Sequence, residues 1–365
     1  MNSSILSPAA ANTESSTAQP AIPHSPSYAV RNDWTKQEVK DIYERPLLSL
    51  IFDGAAVHRQ FHNAQNVQQC TLLSVKTGGC PEDCAYCPQS AHYQTSVKAE
   101  KLLDVETVYT AARIAKEAGS TRFCMGAAWR EVKDNQQFEQ VLEMVRRVSS
   151  LDLEVCVTLG MLNDEQARRL KEAGLTAYNH NLDTGAEYYD QIISTRTYAE
   201  RLQTLENVRN ADISVCCGGI VGMGESKEDR IDLLHTLATL PAHPESVPVN
   251  ALVPVAGTPL ADQKPVEIWE MLRMIATARI LMPLSMVRLS AGRVGMSMAE
   301  QALCFMAGAN SIFTGEKLLT TANCEFDDDA EMFRILGLNA LAPQPQPAAQ
   351  AVRSGCSSKK SGCCP

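Results

Sequence analysis

No run of this sequence approaches the roughly 20 apolar residues a membrane span requires, so a transmembrane helix is not expected. A basic excess is also missing. The 33 Lys and Arg stand against 42 Asp and Glu for a net charge of -9, and the footprint of a nucleic-acid binder is absent. The first stretch, rich in Ser, Ala, Pro and Thr, lacks both the basic start and apolar core of a secretory signal and the arginines of a transit peptide. It is expected to be a disordered extension over 1–33 of a cytosolic protein, followed by one domain over 34–341 and a flexible, Cys-containing tail over 342–365. Cysteine is what the chain has in abundance: 13 in a chain of 365 residues, too large to need disulfide staples. In a reducing compartment such thiols are metal ligands, catalytic groups or core. A hydrophobic fraction of 45% is ample for a sizeable core.

Thr35-Lys36-Gln37-Glu38 is a capping box opening a helix that Pro46 ends, and a second helix is expected over 47–60. Beyond it, strand patterns at 70–76, 121–126, 153–159, 175–181, 213–221, 246–253, 285–290 and 311–314 alternate with helical ones. The helices fall at 105–117, 137–148, 164–172, 198–210, 227–240, 266–281 and 299–308, the fourth opened by the capping box Thr197 to Glu200. Such alternation indicates βαβ units and a parallel sheet. Eight strands predict an α/β fold, a closed (β/α)8 TIM-type barrel with an N-terminal helical extension.

Directly after the first strand comes Cys80-Pro81-Glu82-Asp83-Cys84-Ala85-Tyr86-Cys87. Three thiolates on a short loop can converge on one metal centre at the strand end where barrel active sites lie. Zinc and cubane clusters normally take four ligands, so three leave a position open for a small molecule; a structural zinc knuckle is the competing reading. The triplet, with an aromatic residue before its last cysteine, resembles the radical S-adenosylmethionine (SAM) superfamily. Within it, the run from Gly79 to Ser90 looks like the biotin synthase family, as do Arg122 to Trp129, Tyr178 to Thr184 and Val287 to Arg293. The resemblance covers 34–341. It implies that Cys80, Cys84 and Cys87 hold a [4Fe–4S] cluster whose open iron binds SAM, the source of a 5′-deoxyadenosyl radical.

Cys124, Cys156 and Cys216 each sit in a different predicted strand. Each alone reads as a small buried hydrophobe, yet inward positions of different barrel strands meet near the axis. Arg288 lies inside an apolar strand, where a charge is rarely buried unless paired. A carboxylate partner would explain it. The resemblance implies instead that Cys124, Cys156, Cys216 and Arg288 hold a [2Fe–2S] cluster, the sulfur source, with the guanidinium a weak and labile ligand. Cys217 points to the opposite strand face from Cys216, and periodicity does not choose between them; the match to the family selects Cys216. Cys70, Cys304 and Cys324 read as structural. The tail thiols Cys356, Cys363 and Cys364 read either as incidental or as a capture site for metal or sulfur.

Asn179, Asn181 and Asp183 alternate at a strand end and share one side, as turn formers or as contacts for a polar ligand. By resemblance Asn181 and Asn250 meet the ureido ring of dethiobiotin, Asn179 is a further substrate contact, Thr320 and Thr321 meet the substrate carboxylate, and Tyr86, Asp183 and Arg196 hold SAM. His180 would face away from the asparagines, in a SAM-side or structural contact and not as a base. The glycine-rich run 218–225 either lets a ligand approach the backbone or makes a tight turn. The family implies conversion of dethiobiotin to biotin, a flavodoxin- or ferredoxin-like electron donor, iron–sulfur assembly machinery and a homodimer. The competing functions are a radical SAM enzyme using only the larger cluster, and a non-catalytic iron–sulfur carrier.

Overall fold

Thr35 caps the first helix as its sequence predicts: its hydroxyl accepts from the Glu38 amide while the Glu38 carboxylate accepts from the Thr35 amide. This computed structural model describes residues 28–315 and 317–342, so most of the expected extension and tail, with Cys356, Cys363 and Cys364, lies outside the described residues. In chain order the elements are α1 (Lys36–Tyr43), α2 (Leu47–Phe61), β1 (Asn66–Lys76), α3 (Val105–Glu117), β2 (Arg122–Ala127), α4 (Gln136–Ser149), β3 (Glu154–Thr158), α5 (Asp164–Glu172) and β4 (Ala177–Asn179). They continue with α6 (Tyr198–Asn210), β5 (Ser214–Cys216), β6 (Gly219–Val221), α7 (Lys227–Ala238), β7 (Ser246–Ala251), α8 (Ile268–Leu281), β8 (Met286–Leu289), α9 (Met298–Ala307), β9 (Ser311–Phe313), α10 (Phe326–Leu336) and β10 (Asn339–Ala340).

Every strand pair is parallel, and β1 pairs with β2 on one side and β9 on the other, which closes the sheet. The strands β5 and β6 both pair with β7 and together make one stave, so the predicted eight-stranded TIM-type barrel forms. The predicted strand over 213–221 is divided because Pro248 has no N–H to offer at the step opposite Gly218. A Cβ on Gly218 would lie 2.0 Å from the Pro248 carbonyl, so only glycine passes there. The sequence reading did not anticipate α10 or β10, and β10 pairs with the start of β1.

The main apolar core lies between strands and helices, and Tyr178, Leu182, Cys217 and Cys304 belong to it. Inside the barrel the packing differs. Barrel interiors are ordinarily filled by bulky branched side chains. Here Cys70, Cys124, Cys156 and Ala177 meet, flanked by Leu72 and Phe313. Small, soft side chains replace the usual filling at the level where the strands are most enclosed.

Candidate active site

The loop after β1 is built to hold its shape. Gly78 and Gly79 both take φ of 67°, a left-handed conformation that favours glycine. The Cys80 amide donates to Gln89 O at 2.9 Å and Ala91 N to Cys80 O at 2.7 Å, closing the cysteine run into a loop whose ends meet in a parallel bridge. The two acids inside it are pinned from the segment before α6. Asp83 accepts from Ser194 N at 2.9 Å, Thr195 N at 3.1 Å and Thr195 Oγ1 at 2.9 Å. Burial opposes ionisation of Asp83, but these hydrogen bonds prevail and hold it at about 2. Buried Glu82 pairs with Arg130 at 3.1 Å and lies 3.9 Å from Arg196. These contacts leave all three thiols, Cys80, Cys84 and Cys87, bordering a cavity of about 330 Å³. Burial pushes the Cys84 thiol up to about 12 and Cys87 up to about 11, so both are protonated until a metal takes the proton's place.

The far wall of the same cavity includes Cys124, Cys156 and Arg288. Cys124 on β2 and Cys156 on β3 are register partners, and Cys216 on β5 is the register partner of Asn179 on β4. Hydrogen bonding with Cys124 and Cys216 raises the Cys156 thiol, while the same contacts lower its two neighbours. Cys216 does not itself border the cavity; its sulfur accepts from Asn179 Nδ2 at 3.2 Å and from Arg288 Nη1 at 3.7 Å. Cys217 faces the outer core, so the two adjacent thiols separate as the strand pleat requires.

Tyr86 reaches across from the loop, and its hydroxyl donates to Asp183 Oδ2 at 2.7 Å. Asp183, at φ 67°, also lies 2.6 Å from Arg201 Nη2 in a buried ion pair. Arg201 was missed from the sequence. Its signal was available: on α6 it occupies the inward face with Leu205 and Val208, at helical spacing. Arg201 additionally donates to the Tyr189 hydroxyl at 2.6 Å and to Asn181 O. His180 packs on the Tyr178 side with ring centroids 6.4 Å apart, yet still borders the cavity. Burial, with Arg201 and Arg196 nearby, holds it well below the usual histidine range and makes it neutral.

The amides are differently placed. Asn179 accepts from Thr158 Oγ1 at 3.2 Å, and Asn181 accepts from Gly218 N at 3.2 Å. Asn250, on the largely buried strand β7, has both ends bonded to backbone: Nδ2 to Gly219 O at 2.9 Å and Oδ1 from Ala291 N at 3.2 Å. All three border the cavity, as do Thr320 and Thr321 on the loop after β9. That loop closes over β2 through Leu319, which lies where a Cβ on Gly126 would be. The glycine run 218–225 supplies the short strand β6 and then a tight turn, with Gly222 and Gly224 at φ of 100° and 104°. The Glu225 carboxylate accepts from Gly222 N at 2.8 Å and Met223 N at 2.6 Å, filling the amide nest a ligand would use.

A cofactor is supported by the donors themselves. Soft thiols suit iron–sulfur ligation. Buried Arg196 Nε and His180 Nε2, both on residues of the cavity wall, have no hydrogen-bond partner, and such atoms call for a polar occupant. Among the described residues no three His, Cys, Asp or Glu side chains are arranged to hold a single metal ion.

Residues 74–237 match the Radical SAM superfamily, and 248–339 match the Biotin and Thiamin Synthesis associated domain. In fold, the chain is similar to methylornithine synthase (TM-score 0.72, 17% identity, 84% of this chain and 94% of that one). A similar likeness holds for the FeFe-hydrogenase maturase HydG from Carboxydothermus hydrogenoformans (TM-score 0.71, 16% identity, 84% and 75%). A closed parallel barrel carrying a radical SAM domain defines the class as a radical SAM enzyme, which implies a [4Fe–4S] cluster and SAM. Relatives sharpen this. The biotin synthase of Cytophaga hutchinsonii is 67% identical over 85% of this chain and 92% of its own length. The mitochondrial biotin synthase of Arabidopsis thaliana is 65% identical over 86% and 83%. The chain belongs to the biotin synthase family, a family of radical SAM sulfurtransferases.

Proposed function

We propose that the chain converts dethiobiotin to biotin, with Cys80, Cys84 and Cys87 holding a [4Fe–4S] cluster and Cys124, Cys156, Cys216 and Arg288 holding a [2Fe–2S] cluster. When bound, the larger cluster and SAM supply a 5′-deoxyadenosyl radical for hydrogen abstraction, and the smaller cluster supplies the sulfur. One observation carries this reading: the loop thiols, the barrel thiols Cys124 and Cys156, and three asparagines all border one cavity. A carrier has no use for such a chamber, and an enzyme with a single cluster has no use for the second thiol group.

The chain's own residues have definable tasks. Asp83 and Glu82, fixed by the segment before α6, keep the loop thiols directed at the cavity. Arg196, whose Nε lies 3.9 Å from Glu82 and makes no hydrogen bond, suits the SAM carboxylate as a charge-assisted donor. Tyr86 and Asp183 order the SAM side of the wall, where His180, neutral and low in basicity, donates or accepts a hydrogen bond without taking a proton. Asn179, Asn181 and Asn250 orient the ureido ring, the last held rigid by its backbone bonds. Thr320 and Thr321, on the covering loop, meet the carboxylate and help exclude water, which a carbon radical demands.

The family further suggests a flavodoxin- or ferredoxin-like donor, iron–sulfur assembly machinery and a homodimer, and the composition of the first stretch suggests a cytosolic location. No described helix is long and apolar enough to cross a membrane.

The test is anaerobic reconstitution of wild type and Cys156→Ala, with iron and sulfide counts and Mössbauer spectra, followed by SAM, reductant and dethiobiotin. The expected result is two cluster types in wild type, and loss of the smaller cluster and of biotin in the variant. A single cubane indifferent to Cys156→Ala would replace this reading with the simpler radical SAM enzyme.

A further inference from the structure

Cys70 was read from the sequence as structural, and its surroundings argue otherwise. It is fully buried on β1, inside the barrel, packed with Cys124 and Cys156. Its sulfur lies 3.3 Å from Arg288 Nη2. The other two nitrogens of that guanidinium are also engaged: Nε donates to Ser311 Oγ at 3.0 Å and Nη1 to Cys216 Sγ at 3.7 Å. Arg288 therefore bridges two thiols from different sides of the barrel, while Phe313 covers its face at 4.7 Å.

The floor beneath is a continuous polar chain. Ser311 Oγ donates to Gln68 Oε1 at 3.1 Å, Gln68 Nε2 to Glu154 Oε2 at 3.0 Å, and Arg122 Nε to the same carboxylate oxygen at 2.8 Å. Arg122 is buried, and its Nη1 has no hydrogen-bond partner. Arg122 is the register partner of Cys70 and shares a strand face with Cys124 two residues on, so this unpaired donor belongs to the thiol chamber. A chamber with four thiols, a guanidinium wedged between two of them and a spare buried donor holds more ligating groups than a three-thiol, one-arginine site needs.

We propose that Cys70 is a fifth member of this donor set, a thiol that positions Arg288 and replaces it on iron when the guanidine leaves. The inference rests on Cys124, Cys156, Cys216 and Arg288 holding the smaller cluster. A guanidine has a lone pair for iron only as the neutral base. In the exchange one iron–nitrogen bond breaks and one iron–sulfur bond forms. The Cys70 proton passes to the departing guanidine across the existing contact, and no electron moves. Thiolate is the better ligand for iron, and guanidinium the better cation to leave beside a thiolate-rich centre. Cys70 thus gives the site a resting place for iron that has lost its arginine.

The experiment compares wild type, Cys70→Ser, Arg288→Ala and Cys70→Ser/Arg288→Ala after anaerobic reconstitution. It reads iron and sulfide per chain, Mössbauer parameters and Fe–S stretching bands by resonance Raman, with far-UV circular dichroism confirming the fold. Arg288→Ala is expected to keep a [2Fe–2S] cluster with an all-thiolate signature. Adding Cys70→Ser to it should lower small-cluster affinity by about tenfold or more, on the scale of other losses around metal sites. Should Arg288→Ala fail to fold, Arg288→Leu refills the space and serves the same comparison. Identical spectra and cluster content with and without Cys70 in the arginine-free background overturn the inference alone. A wild type with no second cluster overturns the ligand reading beneath it, and the inference with it.

Discussion

Asp183 shows how much one side chain can organise. Its carboxylate receives the Tyr86 hydroxyl from the cysteine loop and faces Arg201 from α6, so a single residue links the two elements flanking the candidate SAM side. Its left-handed backbone is one that Asp and Asn adopt more readily than other side chains. Asp183→Asn therefore isolates the charge from the backbone. Breaking a buried pair leaves Arg201 uncompensated at a cost of about 3 kcal/mol. Urea denaturation of the variant should show that loss, and an unchanged midpoint would mean that Asn181 O and Tyr189 suffice to hold the guanidinium. The pair was half legible. Asp183 could be read from its alternation with the asparagines, whereas Arg201 was passed over although its spacing with Leu205 and Val208 sets it on the inward face of α6. Cys70 poses a related difficulty: in an apolar strand, a core cysteine and a site cysteine have the same sequence pattern, and only the neighbour across the barrel, Arg288, sets Cys70 apart.

At the scale of elements, α2, α8 and α9 pack around a buried cation away from the cavity. Arg279 of α8 is fully buried and is bonded to Gly308 O, Pro283 O, Ser285 O, Asn310 Oδ1 and His62 Nε2. His58 of α2 lies beside it, with Nε2 unpartnered. Burial, reinforced by Arg279, His62 and Arg59, pulls His58 down to about 3, and burial with Arg279 lowers His62 as well. The unfolded chain thus takes up the His58 proton first, near its ordinary value of about 6.5. The stability His58 allows is complete above that pH and is lost as pH falls toward 3, at up to about 1.4 kcal/mol per pH unit. Between pH 7 and pH 5 wild type should lose about 2 kcal/mol more than His58→Leu, measured by urea unfolding at both values. Equal losses would show that His58 is protonated in the folded state. Helix starts were legible because a capping box is local: Thr35 and Thr197 cap as read. The division of the fifth stave was not, since it depends on Pro248, more than 25 residues away in sequence.

For the whole molecule, the interior is where stability and function conflict. Most barrels fill this space with aliphatic side chains, and here thiols, amides and two guanidinium groups occupy it. Polar groups so placed do not contribute the usual apolar burial, and bound clusters and SAM should make up part of the difference by favouring the folded state. Removing the metal centres by anaerobic chelation is expected to lower the thermal midpoint by roughly 5–10 °C, as for a ligand in large excess over its dissociation constant. Reconstitution should restore it. A midpoint indifferent to cluster content would show that the barrel is stabilised by its outer helical layer alone.

By itself the sequence determined whatever depends on neighbours along the chain. The strand–helix alternation specified a barrel, the capping boxes specified helix starts, and the spacing of Cys80, Cys84 and Cys87 placed three thiols on one loop. Tertiary structure decided what depends on register and closure. It turned Cys216 inward and Cys217 outward, joined Cys124, Cys156 and Cys216 from three strands, set Arg288 between Cys216 and Cys70, and filled the glycine turn with Glu225. Local geometry follows from a few dihedral angles and is written in consecutive residues. Contacts across a closed barrel follow from how every strand is staggered against its neighbour, and no short stretch of sequence carries that sum.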